Sequence, residues 1–485
     1  MAKLFVFGIG GTGSRVLRSL TMMLASGVDT NGYEIVPIII DPDGSNYDLT
    51  LNITLLNQYN NIRNKLNFAQ SKNKFFKTPI NSGEYGYMLN IKNTNNKSFE
   101  QFIGLSTMNK STRAMTEMLF SAKNLKAKMD VGFKGNPNIG SVVLNQIVTP
   151  EDADDDNPVS EEFMSFANSF SEGDKVFIIS SIFGGTGASG FPLLLKSLRL
   201  NTNIPNQKII NEAEIGAITV LPYFKVETKP EAEVSSDTFM SKARAALGYY
   251  EENVKNDINA LYFIADDKYN EKNQYEYNEG GPLQKDSAHL IEFFSASAVI
   301  DFAHRSFKGV HQFLELGIND AHLKDNKPVE SVRFTDFYGK LTRHLRRPLT
   351  MFALTANCFK NEKSKITSNS LDKNSKLFKD TDSFYNSEFI SNFCDFLNQY
   401  LLWLKELAEN NRQLDLFKLD CGDKPFDIVN GIKPSSVASF LSDYSLYFSY
   451  LNKTDITSGI SENDKFMEMH YLATEKITKE KIKLQ

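Results

Sequence analysis

The sequence has little cysteine, a single tryptophan and no excess of positive charge. Its three cysteines, Cys358, Cys394 and Cys421, are far apart and odd in number, which argues against a disulfide framework and against cysteine-based metal spacing. The formal net charge of −5 disfavours general nucleic-acid binding, because neutralising phosphates requires a basic face. No run approaches the ~18 consecutive apolar residues of a transmembrane helix, and the short run at residues 4–7 is unlike a signal peptide. We therefore expect a cytoplasmic protein without a transmembrane segment.

The remaining composition is that of an ordinary globular protein. Hydrophobic residues make up 41% of the 485 residues and charged residues 23%, which suits two or three domains with a large core. The six histidines lack partners at a spacing typical of a metal site, so we predict no metal centre built from side chains. No Gly-Lys-Ser or Gly-Lys-Thr sequence occurs, which excludes a Walker-type phosphate loop.

Two glycine-rich stretches are the most informative feature that is present. Residues 3–7 and 176–179 are short apolar runs typical of buried strands, and each is followed by glycines and then by an apolar helix. Such a loop lets backbone N–H groups close on an anion, and the positive end of the helix dipole adds to the attraction. A tight turn explains either loop alone, but two loops about 175 residues apart favour the binding of one extended phosphate chain. The residues expected to hold it are Gly10, Gly11, Thr12, Gly13 and Ser14 in the first loop, and Gly184, Gly185, Thr186, Gly187, Ala188 and Ser189 in the second.

Two carboxylates follow a second predicted strand at residues 35–40. From the tip of that strand, Asp41 or Asp43 can accept a hydrogen bond from a ribose hydroxyl or hold a water of Mg²⁺. The Asp-Pro-Asp-Gly sequence is also typical of a simple turn. Further strands are predicted at 140–148, 215–221 and 260–265. This alternation of strands and helices predicts an α/β fold with a doubly wound parallel sheet and a ligand at the carboxyl ends of the strands.

The first loop by itself matches the dinucleotide fingerprint. Gly8, Gly10 and Gly13 have the Gly-x-Gly-x-x-Gly spacing, and Asp41 follows the next strand. That pattern is typical of an oxidoreductase that uses NAD or FAD. The hypothesis gives no reason for the second loop, and nothing else in the chain supplies the catalytic residues it needs.

The second loop carries a family resemblance. Residues 184–190, Gly-Gly-Thr-Gly-Ala-Ser-Gly, resemble the Gly-Gly-Thr-Gly-[Ser/Ala/Thr]-Gly signature of the tubulin/FtsZ superfamily, with one extra small residue before the last glycine. The first glycine loop, the strand at 218–220 with a following helix that carries Arg244, the strand ending at 265–268 and a long helix from Asp286 resemble the family in the same order. The resemblance covers roughly residues 1–310 and points to a diverged bacterial tubulin-like protein.

The resemblance implies a fold and a ligand. The implied fold is a doubly wound parallel-sheet GTPase domain, a long central helix and a smaller, diverged α+β second domain with a helical C-terminus. In this family the nucleotide is GTP, subunits stack head to tail, and the next subunit completes the active site. The implied cofactors are therefore GTP or GDP, with Mg²⁺ as a further candidate. Arg244 and Phe294 are the residues expected to approach the base or sugar.

This chain departs most from the family in the loop that carries the hydrolytic residues. Its nearest match is residues 331–336, Ser-Val-Arg-Phe-Thr-Asp, where Arg333 replaces the first acid and only Asp336 remains to act on the neighbouring subunit. An arginine cannot act as a base, although it can stabilise phosphate charge. Glu315, Asp320 or Glu330 are alternatives from a shifted loop. Whether GTP is hydrolysed stays open.

These patterns divide the chain into expected units. They are a nucleotide-binding domain at 1–285, a central helix at 286–312 and a second domain at 313–485. The second domain is expected to open with a strand at 349–359, to carry a polar mobile insertion near 360–384 and to end in an exposed helix from residue 467. The acidic run at 150–156 is assigned to a solvated loop rather than to an ion site.

Two functional hypotheses follow. The first is a tubulin-like GTP-binding protein that assembles head to tail into protofilaments, with GTP at the subunit interface and weak or altered hydrolysis. The second is a nucleotide-gated interaction module that binds GTP without turnover. The expected partner is a second copy of the chain, and a protein encoded in the same operon is a further candidate.

Overall fold

The computed structural model describes most of the chain. The described residues are 1–44, 46–82, 86–92, 94, 96–129, 132–133, 135–148, 160–200, 204–223, 225–226, 236–266, 274–275, 286–316, 331–337, 341–368, 371–435 and 442–484. The acidic run at 150–156, together with Asp320 and Glu330, lies outside the described residues.

The described strands are short, as is usual for an α/β protein. They are β1 (Lys3–Ile9), β2 (Glu34–Ile40), β3 (Lys175–Ser181), β4 (Ile215–Val220), β5 (Lys225–Val226), β6 (Ala260–Ile264), β7 (Gln274–Tyr275), β8 (Gln312–Glu315), β9 (Ser331–Val332) and β10 (Gln413–Leu414).

Helices make up most of the rest of the described chain. They are α1 (Gly10–Ala25), α2 (Tyr47–Arg63), α3 (Phe99–Phe102), α4 (Lys110–Leu119), α5 (Ala122–Leu125), α6 (Pro137–Val148), α7 (Glu161–Ser169), α8 (Gly185–Leu200), α9 (Gln207–Glu212), α10 (Ser236–Asn253), α11 (Leu290–His304), α12 (Leu341–Thr367), α13 (Asn374–Leu377), α14 (Thr381–Tyr385), α15 (Glu388–Glu409), α16 (Asp443–Lys453) and α17 (Glu462–Glu480). Short 3₁₀ turns occur at Leu105–Thr107, Phe334–Asp336 and Pro425–Ile428.

One six-stranded parallel sheet organises the first part of the chain. Its order is β2-β1-β3-β4-β6-β8, and every neighbouring pair is parallel. β1, β3 and β4 are almost wholly buried, because an interior parallel strand is covered by helices on both faces and needs a continuous apolar run. The chain order reverses between β1 and β3, so the topological switch point lies between these two strands. A doubly wound sheet places its ligand crevice there.

Two groups of helices flank the sheet. α1, α2 and α11 pack together, whereas α6, α9 and α10 pack around α8. The apolar character of α11 is nearly uniform around its circumference, which suits its burial between the sheet and neighbouring helices. The α/β class predicted from the sequence, with a doubly wound parallel sheet, is confirmed.

The described residues from 341 onward are mainly helical. α12 packs against α15 and α17, and α16 packs against α17. Phe359, Phe393 and Phe466 meet edge to face at the centre of this group, with ring centroids 5.6–5.8 Å apart. The group shares its apolar core with the sheet region, since Phe76 lies between α1 and α15 and contacts both Phe352 and Phe396.

Two strands predicted from the sequence are wrong. Residues 140–148 belong to α6, and residues 349–359 lie inside α12. Both are short apolar runs, whose period alone does not separate a strand from a buried helix. In α12 the run is buried on nearly every side, so the polar face that would have marked a helix is missing.

Two expectations about the C-terminal region also fail. The segment near 360–384, expected to be a mobile insertion, begins with the last turns of α12 and contains α13 and α14. Phe378 and Phe384 anchor it by stacking at 4.1 Å. The helix from residue 467 was expected to be exposed, but Met467, Met469 and Ile477 are buried.

The central helix is shorter than expected. The sequence predicts a helix at 286–312, whereas α11 begins at Leu290 and ends at His304. β8 then adds to the edge of the main sheet beside β6, although residues from 313 onward were assigned to the second domain. Domain boundaries stay a prediction. Within the described ranges, no helix combines the length and the apolar character that crossing a bilayer requires.

Candidate functional site

Both glycine-rich stretches form the beginnings of helices rather than extended loops. α1 begins at Gly10 and α8 begins at Gly185, each directly after a buried strand. Neither helix has an acidic residue in its first turn. The first N–H groups of a helix have no partner within it, and the helix dipole makes this end positive. Each stretch therefore presents backbone donors at the carboxyl edge of the sheet.

The fold brings the two stretches into contact. A Cβ atom added to Gly10 would lie 3.4 Å from the Cβ of Thr186 and 3.9 Å from the backbone N of Gly187. β1 and β3 are neighbours in the sheet, so the helices that follow them start side by side at the switch point. Part of this surface remains accessible at Gly11, Thr12, Gly184, Thr186 and Ala188, whereas Gly13, Ser14, Gly185, Gly187 and Ser189 are buried beneath it.

Two of the glycines are required by close packing. A Cβ on Gly13 would approach the Cα of Gly8 to 2.6 Å, because α1 lies directly on β1. A Cβ on Gly187 would lie 2.8 Å from the backbone N and O of Ser181. Gly10 has a φ of +69°, a left-handed conformation that favours glycine. The backbone therefore reaches the site only with these glycines in place.

Asp41 and Asp43 lie beside the first stretch, at the carboxyl end of β2. An Asp41 side-chain oxygen accepts a hydrogen bond from the backbone N–H of Asp43 at 3.0 Å, and both residues are buried. Burial raises the pKa of Asp41 to about 7, against the lowering effect of this hydrogen bond. The carboxyl group is thus placed one strand away from the glycines, with a proton affinity far above the ordinary value.

A buried ion cluster lies directly behind the first stretch. Arg15, in the first turns of α1, contacts Glu292 at 2.7 Å, Asp286 at 3.2 Å and Asp48 at 3.4 Å. The Arg15 side chain is 10% exposed and that of Glu292 only 3%. A buried charge needs such partners to offset its lost hydration. The cluster joins the first glycine stretch to the starts of α2 and α11.

His289 completes the start of α11. Its Nδ1 accepts from the backbone N–H of Ile291 at 3.1 Å, and Glu292 Oε2 accepts from the backbone N–H of His289 at 3.2 Å. Burial lowers the pKa of His289 to about 3, so the ring is neutral and its Nε2 carries the proton. Its ring packs on Tyr223, just beyond the carboxyl end of β4, with centroids 4.7 Å apart. The helix start is therefore held at the same edge of the sheet as the two stretches.

Known structures offer distant likenesses. No protein-family model matches the sequence, and no curated protein is similar to it in sequence. Solved structures similar to the chain include three archaeal proteins. CetZ2 from Haloferax volcanii, described as a GTPgS-bound protofilament, is 13% identical with a TM-score of 0.30, over 62% of this chain and 58% of that one. An empty FtsZ dimer from M. jannaschii is 17% identical with a TM-score of 0.28, over 67% and 60%. CetZ from Methanosaeta thermophila is 15% identical with a TM-score of 0.24, over 55% and 46%.

The chain thus spans roughly half to three fifths of each of these proteins, 46% to 60% of their length. At this level of similarity, the likeness assigns no site residue and no ligand.

Phe294 and Arg244 are the two residues predicted to contact the base, and one lies in the core whereas the other is exposed. Phe294 is 2% exposed, and its ring packs in the core against Phe293 and Phe337 at centroid distances of 5.9 and 5.2 Å. The ring of Phe294 thus contacts two other phenylalanines, which favours a packing role. Arg244 is exposed on α10 and forms no hydrogen bond or ion pair with any described residue. Among the described residues, no hydrogen bond or ion pair joins Phe294 or Arg244 to the two glycine stretches.

Arg333 and Asp336 form a local turn. Asp336 Oδ2 accepts from the backbone N–H of Arg333 at 2.7 Å and Oδ1 accepts from the hydroxyl of Thr335 at 3.3 Å. Asp336 is 8% exposed, whereas the Arg333 side chain is half-exposed and lies 4.0 Å from Asp415. The carboxylate therefore caps a 3₁₀ turn, and the arginine is the more accessible of the two.

Lys242 and Arg15 were missed in the sequence, whereas Ser14 was among the residues predicted to hold the phosphates. Lys242 on α10 donates to the backbone carbonyl of Gly135, whose N–H lies against the start of α8. The hydroxyl of Ser14 is fully buried and has no hydrogen-bond partner among the described residues. Arg15 directly follows the first glycine stretch, but its carboxylate partners are 33 to 277 residues away. The two arginines of the largely apolar α1, Arg15 and Arg18, were the one available signal, since a buried arginine must find partners.

Proposed function

We propose that the chain is a tubulin-like GTP-binding protein, with the nucleotide phosphates held between the starts of α1 and α8. The observation that carries the proposal is the contact of Gly10 with Thr186 and Gly187 at the switch point of the sheet. Two helix N-termini without acidic residues meet there, and each contributes unpaired backbone N–H groups to the carboxyl edge of the sheet. A polyphosphate is the ligand that uses two such ends at once.

The surroundings suit the rest of a nucleotide. Ser14 has a buried hydroxyl without a described partner, which a phosphate oxygen or its water can satisfy. Asp41 and Asp43 stand one strand away, where a carboxylate can bind a ribose hydroxyl or a water of Mg²⁺. Among the described residues, no group of three or more side chains could hold a metal by itself, so the phosphates would supply part of any Mg²⁺ coordination. Guanine as the base rests on the resemblance of the two stretches to the tubulin/FtsZ motifs.

Assembly is the second part of the proposal. We infer from the same motif resemblance that copies stack head to tail, with the nucleotide between them. A heterologous contact of this kind does not close on itself and produces a filament. Hydrolysis is expected to be weak, because Asp336 already accepts two hydrogen bonds within its own turn and Arg333 cannot act as a base.

Charge placed at the accessible positions of the two stretches tests nucleotide binding. Thr12 and Ala188 are partly exposed in the first turns of α1 and α8. Thr12→Glu and Ala188→Asp should keep the helices, since an acidic residue stabilises a helix N-terminus, but should repel phosphate. Thr12→Gln and Ala188→Asn are the neutral controls of matched shape. We expect at least tenfold weaker binding of a fluorescent GTP analogue for the charged variants only, with unchanged thermal unfolding. Equal affinity in all four variants would contradict the site.

The local engagement of Asp336 also favours a second function, a nucleotide-gated interaction module that binds GTP without turnover. The two functions differ in how phosphate release depends on protein concentration. If a neighbour completes the active site, the rate per chain rises with concentration and then reaches a plateau as filaments form. A module without turnover releases no phosphate above background at any concentration, while still holding GTP.

A further inference from the structure

Residues 97–129 form a closed helical unit (the 97–129 unit). Its two ends are paired, because the backbone N–H of Phe99 donates to the carbonyl of Ala127 at 2.9 Å and the N–H of Met129 donates to the carbonyl of Lys97 at 3.0 Å. Between these ends lie α3, a 3₁₀ turn, α4 and α5, and α3 packs on both the turn and α5. The apolar side chains buried in these elements are Phe99, Leu105 and Leu125.

α4 is attached to the 97–129 unit along one narrow side. Nine of its ten residues are exposed, and the buried one is Thr116. The hydroxyl of Thr116 lies 3.5 Å from the sulfur of Met108, and Phe120, directly after the helix, packs edge to face on Phe99 at 4.8 Å. A helix this short is marginal in water without packing partners, so the open side of α4 is a candidate contact surface.

The open side of α4 is apolar. Met115, Met118 and Leu119 are 64%, 88% and 67% exposed, and their spacing places them on one face of the helix. Met118 follows Thr116 by two residues and therefore lies on nearly the opposite side of the helix from the attachment. Single exposed apolar residues are ordinary, but three neighbours on one helix face mark a contact surface.

The 97–129 unit is basic, although the chain as a whole is acidic. It contains six basic residues and two acidic ones, whereas the whole chain has a net charge of −5. One of the two acidic side chains, Glu117, is paired with Arg113 at 3.0 Å. All six basic residues are exposed, and they are Lys97, Lys110, Arg113, Lys123, Lys126 and Lys128. The partner of this unit should therefore offer both apolar area and negative charge.

An anionic lipid bilayer offers both at its surface. A helix that lies in the plane of the interface buries its apolar face at the boundary between headgroups and acyl chains, and its basic residues stay among the anionic headgroups. Clusters of roughly four to eight lysines and arginines on such a helix are attracted to acidic lipids. A nucleic-acid backbone would use the basic residues but leave the three apolar side chains in water. A protein partner would need a groove of matching shape, which a bilayer does not.

We infer that α4 binds the surface of an anionic lipid bilayer. Met115, Met118 and Leu119 insert at the acyl boundary, and the basic side chains of the 97–129 unit lie among the headgroups. The ten residues of α4 make a helix about 15 Å long, far short of the ~30 Å hydrocarbon core, so the helix lies on the membrane and does not cross it. The inference goes beyond the proposed function and does not depend on GTP binding.

Flotation of the full chain with vesicles is the first test, because vesicles rise in a density gradient whereas assembled protein sediments. We expect the parent to float with phosphatidylcholine vesicles that contain phosphatidylglycerol but not with phosphatidylcholine alone, and added salt should weaken the binding. Met118→Ser with Leu119→Gln changes two well-exposed side chains and should weaken binding at least tenfold with unchanged thermal unfolding. Leu402→Gln, at a 44% exposed position on α15, is the matched control and should stay within twofold of the parent.

Charge reversal tests the basic part of the surface. Lys126→Glu with Lys128→Glu should weaken binding to phosphatidylglycerol at least tenfold. Lys208→Glu with Lys308→Glu makes the same change in net charge at exposed positions outside the 97–129 unit and should stay within twofold of the parent. Equal loss in both pairs would mean that only the overall charge matters, which overturns the assignment of the 97–129 unit.

Insertion has its own spectroscopic readout. Met118→Trp places an exposed tryptophan on α4, whereas the native Trp403 is already fully buried. We expect the emission of Met118→Trp to shift to shorter wavelength with phosphatidylglycerol vesicles and that of Leu402→Trp to stay unchanged. Binding of Met118→Trp without this shift overturns insertion. Failure of the parent to float with either kind of vesicle overturns the inference as a whole and assigns the apolar face to an acidic protein partner.

Discussion

The Nε atom of Arg15 lies 2.7 Å from Oε1 of Glu292, although 277 residues separate them in the chain. The pair joins the first turns of α1, which carry the first glycine stretch, to the first turn of α11. Asp48 and Asp286 complete its surroundings. The cluster therefore fixes the helix start that carries the first glycine stretch.

Removing the arginine should be costly. Arg15→Met leaves three carboxylates without their cation, two of them buried, and should lower the free energy of unfolding by about 3–5 kcal/mol. Arg113→Gln breaks the exposed pair with Glu117 and should cost less than about 1 kcal/mol. Urea unfolding of both variants measures the difference. Equal stability of the two would show that the cluster does not hold α1 against α11.

Asp41 should make stability depend on pH in a defined direction. Its pKa in the folded state is about 7, above the ordinary value of 3.8, so the folded protein binds the proton more tightly than the unfolded chain. This contribution is fully present below pH ~4 and is lost as pH rises to about 7. Asp41→Asn keeps an acceptor for the N–H of Asp43 and removes the titration.

We therefore expect Asp41→Asn and the parent to have the same unfolding temperature near pH 4. At pH 7.5 the variant should unfold at a higher temperature, because its free energy of unfolding is larger by roughly 1–4 kcal/mol. The same variant should bind nucleotide no better than the parent. Parallel pH dependence of variant and parent across this window would contradict the placement of Asp41.

Gly13 should not tolerate a side chain. The Cβ of Gly13→Ala would lie 2.6 Å from the Cα of Gly8, so α1 must move away from β1, at a cost of about 1–3 kcal/mol or more. Gly11→Ala is the control, since its Cβ meets only Arg15 Nη1, at 3.7 Å. The unfolding temperature should be lower for Gly13→Ala than for the parent, and it should stay near the parent's value for Gly11→Ala. The reverse order would mean that the helix does not pack on the strand as described.

Trp403 should report on the contact between α15 and α1. The only tryptophan of the chain is fully buried, and its Nε1 donates to the hydroxyl of Ser19 at 3.1 Å. Ser19→Ala leaves this buried donor without its acceptor and should lower stability by about 1–3 kcal/mol. Fluorescence of the folded protein should have a short-wavelength maximum that shifts to the red on unfolding. A solvent-like emission maximum in the folded state would contradict the buried position.

Asp336 should contribute little to turnover. Its carboxylate caps a local turn, so Asp336→Asn should lower any GTP hydrolysis less than tenfold and cost about 1 kcal/mol of stability. Phosphate release at a concentration that supports assembly is the measurement. A loss of a hundredfold or more, with intact nucleotide binding, would give Asp336 the catalytic role that the family resemblance implies.

The sequence predicts the parts of this structure that depend on local chemistry. Apolar runs and glycines at the turns predict the strands before the two glycine stretches and the helices after them. They also predict the parallel arrangement of the strands. Their meeting at one switch point follows from the order of strands in a doubly wound sheet.

Long-range partners could not be predicted in the same way. The carboxylates around Arg15 come from three distant segments, and no spacing in the sequence connects them to α1. The family resemblance assigned Phe294 to the base, as the best aromatic candidate early in the long helix, and only tertiary packing against Phe337 indicates a core role. Residues 349–359 illustrate a different limit, since a helix buried on nearly every side has the same apolar pattern as a strand.

The most direct measurement is the identity of the nucleotide that the purified protein carries. Denaturing freshly prepared protein and analysing the released small molecules by chromatography and mass spectrometry gives both identity and stoichiometry. We expect a guanine nucleotide at about one per chain, and mostly GTP if hydrolysis is weak. Release of NAD or FAD, or of no nucleotide from protein that also fails to bind GTP, would contradict a GTP site between the two glycine stretches.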